Sequence, residues 1–293
     1  MAGPGSVSSV TKNFLSACVQ MRSACSVAEN VAAASALIAE AADQGAQFIT
    51  TPEMTSLLVT KSDDLFATVR SEEEDEALPA FRALAAEKKI WLLIGSLPIR
   101  LSAEKVANRS FLLSPEGSIA ARYDKIHMFD VDLAGGESYR ESKNYEPGRE
   151  AVVAPLPWGK LGLSICYDLR FPYLYRSLAQ AGADFLVVPA AFTRQTGEAH
   201  WHTLLKARAI ETGCYVLAAA QGGNHECGRV TYGHSLIIAP WGEIIAEAAH
   251  DEPCVVLAEI DTDRVAVARS RIGSLSHDRA FDLSVIASSE VTS

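Results

Sequence analysis

Three side chains with chemical potential lie far apart in this chain, each just past an apolar run: Glu53 in "QFITTPEM", Lys125 in "ARYDKIHMF" and Cys166 in "GLSICYDLRFP". Cys166 stands where a strand gives way to a helix, with Pro172 in that helix's first turn, a position proline favours. A cysteine there lies above the sheet edge and feels the positive end of the helix dipole, which favours the thiolate. Taken alone, Cys166 reads more readily as a packing residue than as a nucleophile, and Glu53 and Lys125 as solvated loop charges. Position is what joins them. In open α/β sheets the carboxyl ends of the strands face one crevice, so residues more than forty positions apart could converge there.

The elements that would bring them together alternate along the chain. "NFLSACVQ" reads as a strand, "SVAENVAAASALIAEAADQGA" as a helix and "QFITTPE" as a second strand, a β-α-β unit that implies parallel pairing. Ser26 and Glu29 have the spacing of a capping box, and Gly45 ends the helix. An acidic helix is expected from about Ser71 to Lys89, then the strand "IWLLIGSLPIR", then a hairpin turning at "SPEGS". The stretch "HMFDVDLAGGESYRESKNYEPGRE" has no regular period and reads as a long functional loop. The theme then repeats with strand "KLGLSICYD", helix "FPYLYRSLAQAG", strand "ADFLVVPAAF", helix "AHWHTLLKARAIETG" and further strands, ending in a short helix from "DTDRVAVARSRIG". The pattern predicts two packed sheets flanked by helices.

Composition narrows the function. The 293 residues are 48% apolar with a formal charge of −10, which argues against a nucleic-acid or anionic-membrane surface. No apolar run reaches the roughly 18 residues of a membrane helix, so no membrane partner is expected. The six cysteines form no C-x-x-C pairs, so neither a disulfide scaffold nor a zinc site is indicated, and a reducing, cytoplasmic setting fits. His200 and His202 in "HWH" lie two apart on a helix, so their rings face different sides and do not readily share a metal. His127 and His234 read as hydrogen-bonded supporting residues. No P-loop or Rossmann glycine pattern is present, so no nucleotide cofactor is expected.

Together, "TPEM", "RYDKIHMFD", "YRESKNYEPG" and "GLSICYDLRFP", supported by "AGADFLVVPAAF", "TGEAHWHTLLKARAIE" and "YGHSLIIAPWGE", resemble the nitrilase superfamily of carbon-nitrogen hydrolases. The resemblance runs from about residue 12 to 285. It implies an α/β fold, the four-layer α-β-β-α sandwich of the nitrilase type, as one domain over 12–285. Residues 1–11 then read as a disordered or cloning-derived leader and 286–293 as a tail. It also implies a homodimer or larger homo-oligomer, no cofactor and no metal.

Residue by residue, the resemblance makes Glu53 the general base, Lys125 the oxyanion-stabilising lysine, Cys166 the nucleophile of a thioester mechanism, and Glu141 a second glutamate that positions Lys125 and substrate. Tyr167 would add a backbone donor to the oxyanion. Arg170 would hold a substrate carboxylate, unless it pairs with Asp168. Phe192, Thr193 and Arg194 would border the pocket. Within the superfamily, "YVLAAAQGGNHECGRVTYGHS" looks most like the deaminated glutathione amidases, which implies a small carboxylate-bearing amide as substrate. An omega-amidase acting on 2-oxoglutaramate or 2-oxosuccinamate, an N-carbamoyl amino acid amidohydrolase and an inactive scaffold of the same fold are the alternatives. Tyr173 departs from the pattern, standing where many members carry glutamate.

Overall fold

Strand alternation assigns each sheet residue to one of two cores. In this computed structural model, which describes residues 13–133 and 136–285, the first strand β1 (Asn13–Gln20) turns Phe14 and Cys18 toward one cluster and Ala17 and Val19 toward another. The expectations for residues 1–11 and 286–293 lie outside the described residues.

Helix α1 (Val27–Asp43) follows, its first turn capped by the Ser26 hydroxyl accepting from the Glu29 N–H, and Gly45 takes the left-handed conformation just beyond its end. Strand β2 (Phe48–Thr50) pairs parallel with β1. Two helices come next, α2 (Ser62–Thr68) and α3 (Ala77–Lys88). The acidic helix expected from Ser71 therefore begins six residues late. Asp75 accepts from the N–H groups of Ala77 and Leu78 and starts the helix there, while Glu72 turns outward to Arg109 and Arg122.

Strands β3 (Trp91–Arg100), β4 (Val106–Leu113) and β5 (Ile119–Asp124) complete a meander. The segment expected as an irregular loop instead carries a small hairpin, β6 (Asp130–Asp132) with β7 (Ser138–Arg140), followed by a 3-10 turn over Glu141–Lys143.

The second half runs β8 (Val153–Leu156), β9 (Gly159–Gly162), a 3-10 turn over Cys166–Arg170, α4 (Pro172–Gln180), β10 (Phe185–Val187) and α5 (Arg194–Thr212). It continues with β11 (Tyr215–Ala218), β12 (Gly222–Asn224), β13 (Val230–Tyr232), β14 (Leu236–Ile238), β15 (Ile244–Glu247), β16 (Cys254–Asp261) and α6 (Asp263–Arg271).

Two six-stranded sheets result, β16-β1-β2-β3-β4-β5 and β15-β14-β11-β10-β9-β8. The outer face of the first, with Ile49, Leu92, Ile94 and Phe111, packs on Ile38 of α1 and Phe81 of α3. Its inner face, with Phe14, Phe48, Leu93 and Leu112, packs on Leu161, Phe185 and Tyr215 of the second sheet. Leu174 and Leu178 of α4 and Trp201 and Leu205 of α5 join that second core, so the layers run α-β-β-α. The last long strand does not stay with its neighbours. β16 returns to pair antiparallel with β1 along its full length, from Asn13 opposite Asp261 to Gln20 opposite Cys254.

Candidate active site

The carboxyl ends of β2, β5 and β9 meet at the mouth between the sheets, and Glu53, Lys125 and Cys166 meet with them. All three are buried. Lys125 Nζ donates to Glu53 Oε1 at 2.8 Å and to both Glu141 oxygens at 2.9 and 2.8 Å, and Cys166 lines the same cavity as Glu53, whose charge acts on the thiol.

Backbone geometry sets up both catalytic turns. Cys166 has φ 50 and Met54, directly after Glu53, has φ 56, left-handed conformations that side chains other than glycine adopt only under constraint. At the cysteine, the constraint is Asp168. Its buried carboxylate accepts from the Ile165 N–H at 2.8 Å and the Tyr123 hydroxyl at 2.6 Å on one oxygen, and from the His127 N–H and ring on the other. One carboxylate thus ties the cysteine turn to the strand end that carries Lys125. At the glutamate, Gly95 lets β3 approach the Thr51–Pro52 backbone, where a Cβ would lie 2.1 Å from the Thr51 carbonyl oxygen.

Electrostatics fix the resting protonation state. Burial alone would raise the Glu53 carboxyl, but the adjacent Lys125 ammonium outweighs it and holds Glu53 below its ordinary range. For Lys125, burial is likewise overcome, here by the Glu141 and Glu53 carboxylates, and the amine stays charged. Burial and the Glu53 charge push the Cys166 thiol well above its ordinary value. This corrects the expectation of a dipole-stabilised thiolate. The five-residue 3-10 turn is too weak a dipole to offset a buried thiol beside a carboxylate, so the sulfur rests as SH.

These groups floor a cavity of about 370 Å³ whose wall includes Tyr167, Arg170, Phe192, Tyr139, Tyr145 and Arg229. Tyr167 sits second in the 3-10 turn, where a helix start leaves N–H groups without intrahelical partners. Arg170 makes no ion pair with Asp168, whose oxygens are taken. It lies over the Tyr167 and Phe192 rings and reaches His200 Nδ1 at 3.3 Å.

Two expected pocket residues are placed elsewhere. Thr193 is the N-cap of α5, accepting from the Thr196 N–H, and so starts that helix five residues ahead of "AHWH". Arg194 pairs with Asp251 at 2.6 Å on the outer surface. Tyr173 hydrogen-bonds His127 Nε2, which with Asp168 makes His127 a supporting residue.

Two site residues, Asn108 and Phe129, escaped the sequence reading. Asn108 donates to Glu53 Oε1 at 2.9 Å and to Glu141 Oε1 at 3.2 Å, holding the two carboxylates at their spacing. Its signal was a carboxamide inside the apolar strand "VANRSFLL". The Phe129 N–H fixes Glu141 Oε2 at 2.6 Å, a backbone contact with no sequence signature. Arg229 donates to the Ala191 carbonyl, lies over the Tyr139 ring, and keeps a buried Nε with no hydrogen-bond partner among the described residues.

The double sheet and its buried Glu, Lys and Cys define a known class. A family model described as carbon-nitrogen hydrolase matches residues 15–270, and the chain belongs to that family. The deaminated glutathione amidase of Synechocystis is 42% identical over 271 residues, 91% of this chain and 98% of that protein. Among solved structures, the C. elegans NitFhit protein superposes with a TM-score of 0.84 at 36% identity, over 92% of this chain and 66% of that one. Saccharomyces cerevisiae Nit3, a member of branch 10 of the nitrilase superfamily, does so with a TM-score of 0.83 at 27% identity, over 94% and 100% of the two chains.

Proposed function

We propose that this chain is a cysteine-dependent amidase, folded as one catalytic domain over residues 12–285, that cleaves deaminated glutathione to 2-oxoglutarate and cysteinylglycine. The observation that carries the reading is a buried Cys166 in one cavity with a buried Glu53 carboxylate that Lys125 pairs with and keeps ionised. Glu53 takes the thiol proton as sulfur attacks the amide carbonyl carbon. Lys125 and the Tyr167 N–H receive the oxyanion, a donor contribution of about 3 kcal/mol each. Glu53 then returns the proton to the departing amine, leaving a thioester on Cys166. Water, deprotonated by Glu53, attacks that thioester and releases the acid as the C–S bond breaks and Glu53 returns the proton to the Cys166 sulfur. Glu141 and Asn108 hold Lys125 and Glu53 in place through both half-reactions.

Substrate class follows from the cations on the wall. The proposed substrate carries a carboxylate on each side of its scissile amide. Arg229, whose Nε has no partner among the described residues, and Arg170, toward the aromatic side, both line the cavity and suit the two ends. Tyr173, Ile210, Trp241 and Ile272 are exposed large side chains that support self-association, and the free cysteines suit a reducing, cytoplasmic setting.

The test is a side-by-side assay of deaminated glutathione, 2-oxoglutaramate, N-carbamoyl amino acids and a simple nitrile. Deaminated glutathione is expected to give the highest kcat/KM, and Cys166→Ala to abolish turnover with an unchanged circular dichroism spectrum. A preference for 2-oxoglutaramate would make the chain an omega-amidase. Wild-type turnover by the alanine variant would remove Cys166 from the mechanism.

A further inference from the structure

Away from the cavity, three potential ligands from three separate elements converge. His202 of α5 places Nε2 at 2.7 Å from Glu247 Oε1 at the end of β15, and His234, just ahead of β14, places Nδ1 at 3.1 Å from the same oxygen. The three ligating atoms lie within 4.8 Å of one another. We propose that His202, His234 and Glu247 form a binding site for a zinc-like divalent transition metal, separate from the Cys166 centre.

Two features distinguish the cluster from an ordinary surface ion pair. Both rings reach one carboxylate oxygen instead of dividing between the two, so their nitrogen atoms and that oxygen surround a common point. Tetrahedral zinc holds imidazole nitrogen and carboxylate oxygen at about 2.0–2.2 Å, which spaces its donors roughly 3.3 Å apart. The two nitrogen–oxygen separations, 2.7 and 3.1 Å, need small adjustments, and the nitrogen–nitrogen separation, within 4.8 Å, needs one of about 1.5 Å or less, within reach of side-chain torsions.

The ring directions are also set by neighbours. Tyr232 stacks on His234 at 4.2 Å and meets His202 edge-on, and the Trp201 indole N–H donates to the His234 carbonyl. His234 itself has φ 56, a conformation that the surrounding structure must hold. Two imidazoles and one carboxylate suit zinc, cobalt, nickel or copper, and are a poor set for magnesium or calcium, which prefer all-oxygen shells. All three side chains are partly exposed, leaving room for water as the fourth ligand.

A metal there would clamp α5 to the β14–β15 hairpin. His200 and His202 do not share it: His202 recruits partners from across the fold, and His200 turns to Arg170. The clamp adjoins one wall of the active site, because Trp201 packs on Phe192 at 4.9 Å and the Tyr232 N–H donates to the Phe192 carbonyl.

The experiment uses the purified chain bearing Cys166→Ala, which removes the reactive thiol as a competitor, titrated with zinc by calorimetry and with cobalt by visible absorption. The expected result is one zinc per chain and cobalt bands of a nitrogen-oxygen site without thiolate charge transfer. His202→Ala and Glu247→Gln should each weaken zinc by about a hundredfold or more, while His277→Ala leaves it unchanged. Glu247→Gln preserves shape, so it carries the test if the alanine variant folds poorly. No zinc binding, binding that neither variant weakens, or a thiolate signature in the cobalt spectrum would each overturn the proposal.

Discussion

At the residue scale, chemistry depends on three charges held in opposition. Lys125 lies between two carboxylates, so removing it strands both, and loss of one partner from a buried ion cluster typically costs about 3–5 kcal/mol. The same cluster sets the pH response. The carboxyl of Glu53 is held below its ordinary 4.5, so its base form persists above that range and disappears only as the pH falls through the lowered value. Cys166 is raised well above 9.0, so no thiolate forms near neutrality. The expected kcat/KM profile is therefore flat between about pH 6 and 8, without a rising limb near an ordinary thiol value. A limb in that window, measured with deaminated glutathione, would mean that a preformed thiolate attacks.

At the element scale, position comes from close backbone approach and from buried side chains that staple one turn to the next. Gly95 lies in the middle of β3, and its N–H donates to Thr51 Oγ1 beside the turn that carries Glu53. A methyl group there meets the Thr51 and Pro52 carbonyl oxygens at 2.1 and 2.3 Å, so that backbone must move. Gly95→Ala is expected to lower kcat by at least about tenfold, since displacement of a catalytic group by about an ångström costs up to a hundredfold. It should lower the unfolding temperature as well. A variant with full activity would show that the Glu53 turn tolerates displacement.

At the scale of the whole molecule, the site straddles two sheets, so inter-sheet bonds matter to catalysis. Gln221, fully buried between β11 and β12, accepts from the Ser23 N–H and donates to the Ser23 hydroxyl and the Glu53 and Met54 carbonyls. Gln221→Leu leaves several of these groups without partners, each at about 1–3 kcal/mol. The expected outcome is a loss of about 2 kcal/mol or more in urea unfolding together with reduced kcat. Reduced stability with unchanged kcat would separate sheet docking from placement of Glu53.

The sequence by itself determined the elements and the chemical types. The short apolar runs "NFLSACVQ" and "IWLLIGSLPIR" mark strands buried on both faces, and Glu53, Lys125 and Cys166 are legible because each follows such a run. Local signals failed where a tertiary partner outcompeted propensity: Glu72 is drawn to two arginines, and Thr193 caps a helix that begins before its apolar pattern does. Only the folded chain decided that β16 closes the first sheet beside β1, that Arg170 faces the cavity while Arg194 meets Asp251, and that Asn108 and Phe129 set the carboxylates. It also decided the state of the cysteine. A thiol's charge is set by burial and by the nearest carboxylate, and both arise from contacts between residues more than a hundred positions apart.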